Sequence, residues 1–191
     1  MNSIKTIDNN LKQFAVELNS ALKNVETFGA KAYHSFDFDC SILKDWNTID
    51  IRDSIEHKEM FNTIRSLDGP VLYWFEILPG IKNDVVRNAI FDYKFSIDAK
   101  TVPALKRNYC NDSNALYVGK VKSKFWGRVI QHLGYYHVVR TQGLQLYHWS
   151  KPINLKLRLH AYHFEREMED LVSIFEVKLA KKLRPITGKH S

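Results

Sequence analysis

Cysteine is scarce in this sequence of 191 residues, which has only Cys40 and Cys110. Two cysteines are too few for a disulfide framework, and these two lack the paired spacing of a structural zinc site. We interpret both as reduced thiols, as expected for a cytoplasmic protein.

Long hydrophobic runs are also missing. The longest strongly apolar stretch, Val71–Leu78, includes Glu76 and is far shorter than the roughly 20 residues of a bilayer span. The first ten residues lack the apolar run behind a basic cluster that marks a secretory signal. These absences predict a cytoplasmic protein that neither crosses a membrane nor is exported.

Basic residues are plentiful, with 28 Lys and Arg against 21 Asp and Glu and a formal charge of +7. An excess of this size favours contact with a polyanion such as nucleic acid, although an ordinary basic protein has the same balance. Hydrophobic residues make up 45% of the chain, which is ample for a packed core. The length suits one domain with an extension.

The front third of the chain has the periodicity of helices. Apolar residues recur at three- and four-residue steps from Ile4 to about Ala32, and Gly29 is suited to ending such a helix. A second helical pattern, from Ser54 to Leu67, is broken by Asp68-Gly69-Pro70. We therefore expect residues 1–67 to form a helical N-terminal extension, whose helices offer one route to a homo-oligomer.

The rest of the chain mixes strand and helix patterns. Three segments have aromatic, β-branched or alternating apolar residues typical of strands: Val71–Ile77, Ala115–Gly119 and Leu155–Tyr162. Helical spacing recurs at 81–93, 123–133 and 165–183. Because strands and helices do not strictly alternate, the pattern predicts an α+β fold with helices packed on a sheet.

Three polar residues occupy positions that allow either a catalytic or an ordinary structural role. Arg128 and His132 lie four positions apart on a predicted helix, so their side chains share one face; a solvated basic helix is the alternative. Glu176 falls inside the apolar stripe of the last helix, where an unpaired carboxylate would be costly. A Mg²⁺ ion is one partner for such an acid, and a lysine or exposure at the edge of the stripe is another.

Tyr73 and Tyr117 each lie on a predicted strand, where tyrosine commonly serves in packing. His160 and His163 suggest a metal pair, but no third ligand follows at a recognisable distance. Neither pair predicts an active site by its position alone.

Several motifs in order resemble the GIY-YIG nuclease family. They are Gly69-Pro70-Val71-Leu72-Tyr73, Leu116-Tyr117-Val118-Gly119-Lys120, Arg128, His132, Glu176 and Pro185. Arg128 follows Gly119 by nine positions and precedes His132 by four, and Glu176 precedes Pro185 by nine. The resemblance covers residues 69–190. It implies a nuclease domain at residues 68–191, built on a small three-stranded antiparallel sheet flanked by helices.

The resemblance implies a DNA endonuclease that hydrolyses phosphodiester bonds with one divalent metal ion, Mg²⁺ or Mn²⁺. The implied site consists of Tyr73, Tyr117, Lys120, Arg128, His132 and Glu176. In this hypothesis Glu176 holds the metal, and Arg128 and Lys120 stabilise charge on the phosphate. A tyrosine is the general base, with His132 relaying its proton. We favour Tyr73 as the base and Tyr117 as a positioning group, and the sequence leaves the reverse assignment open.

The chain departs from the family pattern in three places. The first motif reads Val-Leu-Tyr where the family has Gly-Ile-Tyr. Tyr73 and Tyr117 stand 44 positions apart, which implies an insertion at about residues 80–113 that contacts substrate or a partner. Gly188-Lys189-His190 occupies the tail, where many members have an asparagine.

Further cationic and aromatic residues flank the second tyrosine motif and suit contact with a nucleic-acid backbone: Lys122, Lys124, Trp126 and Arg140. Two other functions remain open. One is a catalytically silent nucleic-acid-binding module of the same fold, and the other is an interaction protein that associates through its N-terminal helices.

Overall fold

Four strands pair into one antiparallel sheet in the computed structural model, which describes residues 2–45, 48–107, 109–136, 140 and 142–189. The strands are β1 (Ala32–Asp39), β2 (Val71–Ile77), β3 (Ala115–Val121) and β4 (Lys156–His163). Their order in the sheet is β1-β4-β2-β3. The aromatic-rich β2 is therefore an inner strand, bonded to β3 on one side and β4 on the other.

The predicted α+β class is confirmed, whereas the predicted three-stranded sheet is wrong by one strand. β1 comes from the segment expected to belong to a helical extension. Its inward Phe36 and Phe38 alternate with the exposed Ser35 and Asp37, a period of two that suits a half-buried strand. Asp37 accepts two hydrogen bonds from Arg158 of β4, at 2.6 and 2.9 Å. A polar outer face obscured this edge strand in the sequence.

Within the described ranges, six α-helices flank the sheet. They are α1 (Asn2–Phe28), α2 (Lys58–Arg65), α3 (Asn83–Lys94), α4 (Phe125–Leu133), α5 (Leu146–Trp149) and α6 (Val172–Leu183). Gly29 follows α1 with φ +76° and donates its N–H to the Val25 carbonyl, so the predicted helix end is confirmed. The single turn of α5 was not predicted.

Two apolar clusters fix the helices on opposite faces of the sheet. One contains the inward side chains of β2 and β4 with those of α2, α3, α4 and α5, including Phe61, Tyr73 and Phe125. The other joins Leu72 and Val118 to α6 and to the C-terminal half of α1. The sheet is thus the middle layer of three.

The outer edge of β3 is covered by two segments of backbone. After α6, Ile186 and Thr187 donate their N–H groups to the carbonyls of Ala115 and Leu116, at 2.9 and 3.1 Å. Lys106, from the segment expected to be an insertion, donates its N–H to the Ile186 carbonyl at 3.0 Å. The tail and the predicted insertion therefore meet beside β3. The division at residue 67 stays a prediction, and β1 of the front part belongs to the same sheet as the rest.

In the part of the chain that the structure describes, no helix combines the length and the apolar character needed to cross a membrane.

Candidate active site

Strand register brings the two predicted tyrosines together. Tyr73 of β2 lies opposite Gly119 of β3, and Tyr117 is two residues from Gly119 on the same face. A Cβ on Gly119 would lie 2.6 Å from Tyr73 Oη and 2.6 Å from Tyr117 Cε1. The two rings therefore occupy the space that any side chain at position 119 would need. Steric contact with the two rings therefore explains why the Tyr-Val-Gly motif has glycine at position 119.

Arg128 joins the two tyrosines from α4. Its Nε–H donates to Tyr73 Oη at 3.1 Å, and one terminal nitrogen donates to Tyr117 Oη at 3.3 Å. The other terminal nitrogen donates to Gln131 Oε1 at 2.8 Å and to the carbonyl of Gln142. Burial works to lower the pKa of Arg128, but the two phenol oxygens outweigh it and raise that pKa. The guanidinium is therefore charged and held at both ends.

His132 is fully buried one turn further along α4. Its Nδ1 accepts the N–H of Leu144 at 3.1 Å, and its Nε2 lies 2.9 Å from Tyr73 Oη. Burial, reinforced by the charge of Arg128, lowers the pKa of His132 well below its ordinary value. The ring is therefore neutral with its proton on Nε2, which donates to Tyr73. This tautomer does not suit the expected proton relay, because Nε2 has no lone pair for the Tyr73 proton.

The loop that reaches His132 depends on Gly143. A Cβ at this position would lie 2.2 Å from the carbonyl oxygen of Gln131, so only glycine permits the approach that delivers the Leu144 N–H. Gln131, Gln142 and Gly143 were not among the residues selected from the sequence. The spacing of Gln131 from Arg128, three positions along a helix, was the available signal for one of them.

The two tyrosines differ in access. Tyr73 is 0% exposed, and burial is the main cause that raises its pKa above the ordinary value, followed by the proximity of Tyr117. Tyr117 is half-buried and lines a cleft. Both tyrosines are bonded to Arg128, but Tyr117 rather than Tyr73 lines the cleft.

The cleft has a volume of about 200 Å³, enough for several water molecules. Its lining residues are Pro103, Tyr117, Val118, Gln142, Glu176, Gly188 and Lys189. Glu176 shares a helix face with the buried Val172 and Ala180, so α6 directs its carboxylate towards the edge of β3. The structure thus brings Glu176 and Tyr117 to one cleft.

The donor set of the cleft suits a metal ion that needs few protein ligands. Glu176 is the only carboxylate among the lining residues, and no group of three or more His, Cys, Asp or Glu side chains placed to bind a metal occurs among the described residues. Mg²⁺ commonly binds through one or two carboxylates, with water and substrate phosphate completing its shell. A cation with that coordination fits the cleft.

Comparisons with protein-family models, curated proteins and solved structures give no match to this chain. The resemblance to the GIY-YIG nucleases therefore stays a prediction.

The structure places two lysines differently from what the sequence predicted. Lys120 is paired with Leu72 across the strands, and strand alternation directs it to the sheet face opposite Tyr117 and Gly119. The structure does not bring Lys120 into the tyrosine cluster. Lys189, which the sequence presented only as a departure from the family pattern, lines the same cleft as Glu176.

The four residues expected to contact nucleic acid differ in their contacts within the protein. Lys122 forms ion pairs with Asp170 at 2.8 Å and Glu169 at 3.2 Å, and these bonds, led by that to Asp170, raise its pKa. The guanidinium carbons of Arg52 and Arg65 lie 5.9 and 6.0 Å from the centre of the Trp126 ring. The remaining two, Lys124 and Arg140, are exposed.

His160 and His163 do not form a metal pair. They leave β4 on opposite faces, as residues three apart on a strand must. His160 lies 2.7 Å from the Tyr33 hydroxyl through Nδ1 and 2.9 Å from Glu76 through Nε2. His163 Nε2 accepts the N–H of Gly69 at 3.1 Å. Both histidines connect neighbouring elements of the fold.

Proposed function

We propose that this protein is a DNA endonuclease that hydrolyses phosphodiester bonds at the cleft between β3 and α6. The observation that carries the proposal is the bridge from Arg128 to the hydroxyls of Tyr73 and Tyr117, beside a cleft that contains Glu176. The sequence order that resembles the GIY-YIG nucleases supports the same function. The family and the activity are both proposals.

The main contribution of the side chains of the site to catalysis is positive charge. Phosphoryl transfer requires stabilisation of negative charge on the phosphate oxygens, which a fixed guanidinium supplies without reorganising. Arg128 is anchored by two tyrosines and by Gln131, so its position is set before substrate binds. Lys189 adds a second cation on the wall of the cleft.

Tyr117 in its phenolate form is proposed as the proton acceptor for the attacking water, because it is the tyrosine that lines the cleft and its oxygen accepts a hydrogen bond from the Arg128 guanidinium. The phenolate becomes a phenol as the water becomes the attacking hydroxide. Tyr73 is proposed as a positioning residue, since it is fully buried and its oxygen receives N–H groups from Arg128 and His132. This assignment reverses the one that the sequence favoured.

Glu176 would hold the divalent cation, Mg²⁺ or Mn²⁺, which when bound polarises the scissile phosphate and stabilises the leaving oxygen. The absence of a second carboxylate from the cleft lining agrees with a single ion rather than a pair. Gln142 also lines the cleft, and its backbone carbonyl accepts a hydrogen bond from Arg128.

A cytoplasmic location is part of the proposal. Cys40 is buried, Cys110 is half-buried, and both are free thiols, which suits a reducing compartment. DNA is proposed as the partner on the basis of the net charge of +7, of Lys189 on the wall of the cleft and of Arg128 bonded to Tyr117 beside it.

The second candidate is a catalytically silent nucleic-acid-binding module. The complete burial of Tyr73 favours it, because a tyrosine held this way also serves simply to fix Arg128. Cleavage assays separate the two candidates directly.

The test measures cleavage of supercoiled plasmid and of branched DNA by the full chain, with Mg²⁺ or with chelator. We expect cleavage only with the metal. Glu176→Gln removes the carboxylate charge at nearly constant shape and should abolish cutting, whereas Arg128→Lys, which loses the planar fork, should reduce it by about 10²-fold. Glu167→Gln is the matched control, since Glu167 is exposed and lies outside the cleft.

DNA binding is measured in parallel, without metal. Binding with no cleavage of any substrate would replace the endonuclease with the silent module. Equal cutting by Glu176→Gln and Glu167→Gln would refute the metal assignment, and neither binding nor cutting would reject nucleic acid as the ligand.

A further inference from the structure

Helix α1 leaves most of its length uncovered. Every side chain from Thr6 to Ser20 is exposed, and Ala21 is the first buried residue of the helix. The buried end packs against Met168 and its neighbours in the cluster under α6. An isolated helix of about 15 residues is marginal in water, so the exposed part needs a partner for stability.

Apart from Ala15, Val16 and Leu22, the apolar residues of α1 follow a strict 3-4 repeat. They occur at Ile4, Ile7, Leu11, Phe14, Leu18, Ala21, Val25 and Phe28, which are the a and d positions of four consecutive heptads. A repeat of 3.5 residues is that of a coiled coil, because it keeps one seam facing a second helix of the same period. A helix that only packed on its own sheet would need no such regularity.

The polar side of the helix is already satisfied within α1. Lys12 pairs with Asp8 at 2.5 Å, Gln13 donates to Glu17 at 2.9 Å, and Lys23 pairs with Glu26 at 2.9 Å. None of these residues stands at an a or d position. From Ile7 to Leu18 the a/d stripe is therefore the main apolar surface of α1 that lacks cover in the described part of the chain.

We propose that a second copy of this chain covers the exposed a/d stripe of α1, forming a helix pair between protomers. A second copy offers the same 3.5-residue period by identity, and most soluble oligomers are symmetric pairs. Burying a large aliphatic or aromatic side chain removes roughly 60–120 Å² from water. Ile7, Leu11, Phe14 and Leu18 of the a/d stripe, together with the neighbouring Leu22, would on two helices bury roughly 600–1,200 Å², which reaches the lower end of specific interfaces.

The buried area also indicates how tightly the two copies are expected to associate. An interface at that lower end suits reversible association in the micromolar range. Sedimentation velocity of the full chain, from about 1 to 100 µM, should therefore show a shift from the 22.4 kDa monomer towards twice that mass. The measurement involves no DNA, so it is independent of the proposed nuclease activity.

The chain offers a matched pair of variants. Leu11 lies on the stripe and is 58% exposed, whereas Val16 lies off it and is 62% exposed. Leu11→Asp places a charge in the seam and should weaken association by about tenfold or more, while Val16→Asp should leave the mass unchanged. Phe14→Asp is a second variant on the stripe, and urea unfolding of each variant checks that the sheet remains folded.

Three outcomes would overturn the proposal. A monomer at about 100 µM would show that no second copy binds. Equal weakening by Leu11→Asp and Val16→Asp would show that association does not use the a/d stripe. A monomer whose α1 binds lipid vesicles, with loss of binding in Leu11→Asp, would assign the stripe to a membrane surface instead.

Discussion

Substitution of Gly119 by alanine tests whether the two tyrosines are packed as the structure places them. The new Cβ would lie 2.6 Å from Tyr73 Oη, 2.7 Å from Tyr73 Cζ and 2.6 Å from Tyr117 Cε1. Carbon atoms in contact prefer a separation of about 3.5–4.0 Å. Relief of the clash therefore requires the rings or β3 to move by about 1 Å.

Movement of that size disrupts the bonds of Arg128. The distances from Arg128 to the Tyr73 and Tyr117 oxygens are 3.1 and 3.3 Å, so an added 1 Å or so takes either bond out of range. Overpacking of a core costs about 1–3 kcal/mol of unfolding free energy. A misplacement of about 1 Å at a reacting centre costs about 10²-fold in rate. We expect Gly119→Ala to show both losses.

Gly127→Ala is the control for Gly119→Ala. Position 127 is in α4, and an added Cβ meets no atom within 4 Å, so alanine should raise the unfolding free energy by about 0.5–1 kcal/mol. Urea unfolding followed by tryptophan fluorescence measures stability, and plasmid cleavage measures activity. An unchanged unfolding midpoint in Gly119→Ala would refute the packing of the two tyrosines, whatever the chain's activity.

Two further predictions concern buried titratable groups. The pKa of His132 is lowered in the folded state, so the unfolded state binds the proton first. Its contribution to stability is complete above the unfolded value of about 6.5 and declines as pH falls below it. Urea midpoints between pH 7 and 5 should thus fall less in His132→Gln than in the unaltered chain, and equal slopes would contradict the buried neutral ring. Burial raises the pKa of Cys40 to about 12, so a thiol reagent at about pH 8 should modify Cys110 alone before unfolding and both cysteines afterwards; two native thiols reacting at one rate would disprove this.

Local patterns predicted most of the elements. The runs of aromatic and β-branched residues at Val71–Ile77 and the alternation before His163 are strands, because side-chain period and burial are set within a few neighbouring residues. The edge strand β1 escaped prediction because its outer face is polar and its inner face is apolar mainly at Phe36 and Phe38. Its pairing partner, β4, lies more than a hundred residues away.

The sequence predicted which types of residue form the candidate site, but only part of their spatial arrangement. Spacing alone placed Arg128 and His132 on one helix face, and Arg128 does contact both tyrosines. The position of Lys120 on the opposite face of β3 followed from alternation with Gly119, but the resemblance to a family motif obscured it. Lys189 and Gln142 reach the cleft through long-range folding of loops, which no local pattern encodes.

For this protein the sequence by itself determined the five longer helices and the inner strands, the basic balance and the heptad stripe of α1, since each depends on neighbouring residues. Only the tertiary structure decided which tyrosine faces the cleft, which nitrogen of His132 carries the proton, and which lysine lines the cleft together with Glu176. These features depend on burial and on contacts between segments far apart in the chain. Access of solvent and the donation of the Leu144 N–H to His132 exist only once those segments have packed.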